Sequence, residues 1–172
     1  APSREAGQAF LSLGDQLFVY TPRLGRVLRL PPSGRSDAFL GSDISYSDLA
    51  GDEFSENYDA TVAERDDEEV VLSLIPHEDA PTPYGEVRLR ASLRDLTPRE
   101  FVFFDQRDTA VRRMVLEEVR DLPGGQNFPT TMIVEDLTGD GGRTVARYGD
   151  GEFGFDPPES CFTQQALERD CL

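Results

Sequence analysis

The chain contains no lysine. All 17 basic side chains among its 172 residues are arginine, set against 33 Asp and Glu, for a formal net charge of −16. An acidic excess of that size argues against nucleic acid or an anionic membrane surface as a partner, since both repel it. A lysine-free acidic surface suits a halophilic protein and equally an arginine-biased codon usage. There is one histidine, His77, and there are two cysteines, Cys161 and Cys171, so no zinc-site spacing exists and no cofactor is implied. No apolar run reaches the roughly 18 residues that a membrane-spanning helix needs. The G-x-S-x-G elbow, the phosphate-binding glycine loop and the metalloprotease histidine pair are all missing. Carboxylates are plentiful, but nothing sets two of them together as a hydrolase requires, and the chain reads as a non-enzyme. It starts at Ala1 with neither an initiator Met nor a signal peptide, as a mature form or a fragment does.

What is present is a succession of short strands. The length suits one domain with a real core. Residues 8–13 and 16–20 are strand-like, with Gly14 and Asp15 as a tight turn between them. Residues 26–30 follow after Thr21-Pro22-Arg23-Leu24-Gly25, in which Pro22 fixes φ and Gly25 accepts a positive φ. Residues 54–63 alternate loosely, and 64–69 form a charged turn, with a calcium site as the minor alternative. Residues 70–75 form a buried strand, and 87–91 alternate Val, Leu and Ala with Arg, the period of a half-buried strand. Residues 99–105, 110–120 and 129–137 complete the pattern, with a helix as the competing reading for 110–120. The D-x-T-x-D-G run from Asp136 resembles the start of a calcium loop, but Arg143 and Arg147 occupy positions that such a loop cannot spare. A Gly-rich hairpin turn into residues 143–153 is the better reading. About ten strands joined by short turns make an antiparallel sheet.

Near the C-terminus Thr163 can cap a helix over 164–169. If residues 163–171 form one continuous helix, Cys161 and Cys171 lie roughly 15 Å apart along its axis and cannot bridge. A disulfide then requires the chain to fold back after about residue 169. That geometry favours two unpaired thiols, although an oxidising compartment permits pairing.

The stretch from Leu17 to Leu49 carries a recognisable pattern. Its residues Tyr20, Pro22, Arg26, Arg29, Arg35, Phe39, Gly41, Ser42, Asp43, Tyr46, Asp48 and Leu49 match the W-x-Y-x-P, basic hairpin and F-x-G-S-D-F-S-Y-x-D-L signature of the periplasmic outer-membrane lipoprotein-sorting proteins. The chain therefore resembles the LolA-like family. Phe18 stands where the family has tryptophan and Ile44 where it has a second phenylalanine, and both substitutions stay apolar. The terminal F-T-x-x-x-L-E-R pattern, from Phe162 to Arg169, also matches. Within the signature, Ser45 and Asp48 have the spacing of a capping box.

The resemblance implies a mainly β fold: a strongly curved antiparallel sheet, an incomplete barrel with short helices, as a single domain over 1–172. The family's N-terminal helix and first strands have no counterpart before the signature. It also implies a periplasmic carrier that binds the acyl chains of lipoproteins or other lipids in an apolar cavity. An inner-membrane transporter is the implied donor, and a homodimer through uncovered sheet surface is a further possibility. A sensor or interaction module of the same fold is the alternative, since fold does not fix function. One alternation phase per strand gives the cavity candidates Leu17, Val19, Leu72, Leu74, Phe101, Phe103, Met114, Leu116, Met132 and Val134. The same positions also read as ordinary core. Tyr20, Pro22, Arg35, Gly41, Ser42, Asp43, Tyr46 and Asp48 read as a structural set that pins the segment after the first hairpin, with gating of the cavity as the sharper idea.

Overall fold

Turns between neighbouring strands set the topology. The computed structural model describes residues 6–14, 16–31, 34, 37–50, 54–80, 82–122, 126–139, 141–149, 154 and 156–169. Among them are ten strands: β1 (Ala9–Leu13), β2 (Gln16–Thr21), β3 (Arg26–Leu30), β4 (Tyr58–Arg65), β5 (Glu69–Pro76), β6 (Glu86–Ser92), β7 (Pro98–Phe104), β8 (Ala110–Leu122), β9 (Gln126–Asp136) and β10 (Arg143–Arg147). Every strand pairs antiparallel with its sequence neighbour within its sheet. The sheets are β1-β2-β3 and an unbroken meander from β4 to β10, and neither closes on itself. The chain is mainly β, antiparallel and open, as the strand pattern and the resemblance imply. It divides into two compact units, Ala1–Asp52 with Phe155–Leu172, and Glu53–Gly154.

In the first unit the β2–β3 turn is built by Thr21, whose carbonyl accepts the N–H groups of Leu24 (2.9 Å) and Gly25 (3.0 Å). Gly25 adopts φ +60, a value that glycine takes without a side-chain clash. The central strand β2 buries Leu17, Phe18 and Val19 in succession, so this small sheet is covered on both faces. Phe10, opposite Val19, meets the edge of the Phe39 ring (centroids 5.8 Å apart), and Phe39 in turn meets Tyr46 (5.5 Å). A 3₁₀ helix at Gln164–Glu168 lies against all three strands. Thr163 caps it by accepting the Ala166 N–H.

That terminal helix corrects the cysteine expectation. It is a 3₁₀ helix rather than an α-helix, and it ends at Glu168 with Arg169 already extended (φ −140, ψ 147). The continuous helix that would have held the sulfurs apart does not form. Cys161 is disulfide-bonded, and among the described residues no cysteine is free. The chain's other cysteine, Cys171, lies outside the described residues.

In the second unit the first residues depart from the expected strand. Phe54–Asn57 is a single helical turn, α1, and β4 starts at Tyr58. Aromatic packing explains the turn: Phe54 stacks on Phe101 (centroids 5.4 Å apart, planes 18° apart) and tilts against Tyr58 (5.3 Å). Asp66 Oδ1 accepts the N–H groups of Glu68 and Glu69, both at 2.8 Å, closing the charged β4–β5 tip. At the opposite end of the sheet, Asp136 Oδ1 accepts Thr138 N (2.7 Å) and Oγ1 (2.6 Å) in the β9–β10 turn. Both carboxylates act as turn caps, and these hydrogen bonds hold their pKa values below the ordinary value.

Residues 110–120 are strand, not helix, and the strand continues to Leu122. Within it Glu118 takes φ +54. Glu118 O accepts Thr130 Oγ1 (2.9 Å) and Glu118 Oε2 accepts Thr131 Oγ1 (2.8 Å), so two buried threonines are satisfied.

Candidate functional site: the apolar face of the seven-stranded sheet

Directly opposed residues on antiparallel strands share a face, and the next residue along each strand points the other way. Register therefore assigns every side chain of the meander to one of two faces. Leu72 opposes Leu89, Leu89 opposes Phe101, Phe101 opposes Met114, and Met114 opposes Val134. A second row runs Leu74, Val87, Phe103, and a third pairs Leu116 with Met132. All eight sheet candidates in this unit thus lie on one face. Leu74, Phe101, Phe103, Met114, Met132 and Val134 are buried, with Val87 and Val134 at 0% exposure. Leu72 and Leu116 are half-buried.

Two aromatic side chains from outside the strands pack on this face. Phe54 covers Phe101, and Tyr84, from the β5–β6 loop, lies 4.7 Å from Phe103. Tyr58 Oη donates to Thr82 Oγ1 (2.9 Å), which ties the start of β4 to the loop that carries Tyr84. The sequence offered no signal for either contact beyond the presence of an aromatic residue beside a turn.

The opposite face is built from charge. Arg90 reaches Glu69 (3.8 Å) and Glu100 (2.6 Å), Arg113 reaches Glu100 (2.5 Å) and Glu135 (3.3 Å), and Arg143 reaches Glu135 (3.5 Å). Six residues on six successive strands, β5 to β10, therefore alternate in sign. The hydrogen bond to Glu100 is the largest influence raising the Arg113 pKa. Valines 71, 102, 115 and 145 stand between the charges, half-buried.

The apolar face meets a charge at the end nearest the β7–β8 turn. Arg112 opposes Phe103 on one side and Asp136 on the other. Its guanidinium carbon lies 5.1 Å from the centre of the Phe103 ring. Nothing in the local sequence, Val111-Arg112-Arg113-Met114, separates this arginine from Arg113, which joins the ladder on the other face.

The remaining candidates belong to the first unit. Leu17 and Val19 are buried on one face of the three-stranded sheet, opposite Leu30 and Leu28. Tyr20 is half-buried on β2, and Pro22 starts the turn. Ser42 Oγ donates to Phe39 O (2.6 Å) and accepts from Ile44 N (3.2 Å), while Phe39 N donates to Ile44 O (2.6 Å). Gly41, at φ +70, allows that reversal. Ser45 Oγ accepts Asp48 N (3.3 Å) and Asp48 Oδ2 accepts Ser45 N (2.7 Å), which is the reciprocal capping box at the start of the helix Tyr46–Ala50. Tyr46 packs on Phe39, and Asp43 is half-buried. Arg35 lies outside the described residues.

An open antiparallel meander with one apolar face, and a short hairpin sheet followed by a Gly-Ser-Asp turn, define a class. Three solved structures are similar to this chain in fold. An outer membrane lipoprotein-sorting protein domain from Vibrio parahaemolyticus superposes with a TM-score of 0.81 at 22% identity, over 98% of this chain and 74% of that one. A LolA superfamily protein from Nitrosomonas europaea gives 0.75 at 26% identity, over 96% and 74%. A DUF1329 family protein from Desulfovibrio piger gives 0.82 at 20% identity, over 97% and 73%. The fold is LolA-like. A family model described as "Uncharacterized protein" matches residues 1–169, and the chain belongs to that family. Comparison with curated proteins finds no match.

Proposed function

We propose that this protein is a periplasmic carrier that shields the acyl chains of lipoproteins or other lipids against the apolar face of its seven-stranded sheet. The observation that carries the reading is the gathering of Leu72, Leu74, Phe101, Phe103, Met114, Leu116, Met132 and Val134 on one face, while the other face is laced by its own ion pairs. An apolar surface that is not filled by its own side chains holds hydrocarbon at about 0.8 kcal/mol per buried CH₂. Leu17 and Val19 belong to the separate three-stranded sheet of the first unit. The carrier does no covalent chemistry. The LolA-like fold supports the ligand class, and an inner-membrane transporter is the donor that class implies. The disulfide at Cys161 supports an oxidising compartment such as the periplasm. Among the described residues no helix is long and apolar enough to cross a membrane.

The test is lipid extraction and mass spectrometry on protein purified from its native envelope, beside a mock-purified control. A stoichiometric acyl lipid is expected in the wild type. It is lost on Leu116→Glu, which sets a carboxylate among the hydrocarbon at a half-buried position. Repeated absence of lipid, together with no binding of an added fatty acid, overturns the reading.

A further inference from the structure

We propose that the two edges of the seven-stranded sheet are complementary, and that β10 of one copy of this chain adds in parallel to β4 of the next. β4 and β10 stand at opposite ends of the sheet, and among the described residues no strand pairs with the outer edge of either. Such an edge presents N–H and C=O groups to another chain. Every residue from Asp59 to Arg65 is exposed, as are Arg143 and Arg147 at the two ends of β10.

The backbone sets the register. His77 N donates to Asn57 O (2.8 Å), so Asp59 and Thr61 bond to β5 while Ala60 and Val62 turn their backbone groups outward. At the other end, Asp136 N donates to Gly142 O (2.9 Å) and Tyr148 N to Thr130 O (2.8 Å). Arg143, Val145 and Arg147 therefore turn their backbone groups away from β9. β4 and β10 run in the same direction, because each strand between them reverses the last. A copy set alongside with its faces matched thus meets β4 in parallel. Ala60 then bonds to Arg143 and Val145 of the next copy, and Val62 to Val145 and Arg147.

That register matches charge. Asp59, Thr61 and Glu64 oppose Ile75, Ser73 and Val71 and so share the charged face. The bulge between Val62 and Glu64 puts Glu64 there, and Arg65, opposite Val70, falls on the other face. Arg143, Val145 and Arg147 lie on the charged face too, opposite Glu135, Ile133 and Thr131. Asp59 comes to lie beside Arg143 of the next copy, Thr61 beside Val145 and Glu64 beside Arg147. Asp59 already meets His77 at 3.5 Å and Arg143 meets Glu135 at 3.5 Å, with side chains 86% and 57% exposed, so each has room for a further partner. Two β4 edges would instead bring carboxylates together on this face, and two β10 edges arginines, which like-charge repulsion disfavours. The contact is head-to-tail, so each added copy leaves one edge of each kind free and assembly runs beyond the dimer.

Sedimentation velocity on the full chain, over a concentration series reaching about 1 mM, tests this. The wild type is expected to rise in mass with concentration, past the dimer. Asp59→Arg with Glu64→Arg, and separately Arg143→Glu with Arg147→Glu, should each weaken association about tenfold or more. Mixing the two variants restores it, since the basic β4 of one then meets the acidic β10 of the other. Ala60→Pro removes an outward N–H and also weakens association. Circular dichroism checks folding, and should a reversed variant not fold, Glu64→Gln and Arg147→Gln, each weakening association about threefold, decide. A wild type that stays monomeric throughout overturns the inference. So does association that survives either reversal, or a mixture that fails to restore it. None of these outcomes bears on the carrier reading.

Discussion

On one face of the seven-stranded sheet, Val87 and Val134 are fully buried and the rows from Leu72 to Val134 contain no charge. On the other, Glu69, Arg90, Glu100, Arg113, Glu135 and Arg143 alternate in sign across six strands. The same strands build both faces, and the two differ in what they need from their surroundings. The charged face pairs its charges within the sheet, Glu100 and Glu135 each between two arginines, and tolerates water. The apolar face is stable only when something excludes water from it, whether its own aromatic side chains, other parts of the protein or a ligand. The proposed binding of hydrocarbon is therefore assigned to that face.

The contrast is broken most severely by placing a charge on the apolar side. Val134→Asp leaves an unpaired carboxylate at a position with no exposure, at a cost of roughly 3–5 kcal/mol. Urea denaturation followed by circular dichroism should show a protein unfolded, or nearly so, without denaturant. An equally drastic charge change on the other face does far less. Glu100→Gln removes the residue shared by Arg90 and Arg113, both of which stay partly solvated, and should cost about 1–2 kcal/mol. Added salt should narrow the gap between the wild type and this variant, since it screens the interaction that was lost.

A smaller effect is expected at the β6–β7 turn, where the sheet ends. Asp95 accepts hydrogen bonds from Thr97 Oγ1 (2.6 Å), Thr97 N (3.2 Å) and Arg99 (2.6 Å). Led by the Thr97 hydroxyl, these hold its pKa down to about 2. A carboxyl whose pKa is lower folded than unfolded adds stability that is complete above the unfolded value and lost as pH falls through the folded one. Asp95→Asn should therefore be less stable than the wild type at neutral pH. The difference should close between the ordinary carboxylate value of 3.8 and about 2. Thermal melts across that range check the sign. The mildest change is Leu96→Gly at the same turn. Leu96 is 80% exposed at φ +55, so glycine relieves backbone strain and loses little burial. Its melting temperature should equal or slightly exceed that of the wild type, by no more than about 1 kcal/mol of stability.

Much of this architecture was legible because β periodicity is local. Val87, Leu89 and Ala91 alternate with arginines, and that alone assigns them to a face. The turns at Pro22–Gly25, Asp66 and Asp136 announce themselves through residues that cap backbone N–H groups within a few positions. The Ser45–Asp48 pair is equally local. Legibility ended where two distant segments had to meet. Phe54 looked like part of a strand because its neighbours alternate, and it became a helical turn because Phe101, far along the chain, offers a ring to stack on. Cys161 and Cys171 lie too far apart to bridge only if one continuous helix joins them, and a 3₁₀ turn ends that helix at Glu168.

The amino-acid sequence by itself determined the strands, their antiparallel order and the side of the sheet on which each apolar residue falls. These follow from alternation and from turn chemistry spanning a handful of residues. Only the tertiary structure decided which residues face one another. Bulges between Val62 and Glu64, between Arg90 and Ala91 and between Phe103 and Phe104 each shift the register of what lies beyond them. The unshifted pairing between those points aligns three glutamates and three arginines into one ladder. It also sets Arg112, a single residue from Arg113, at the end of the apolar rows on the opposite face.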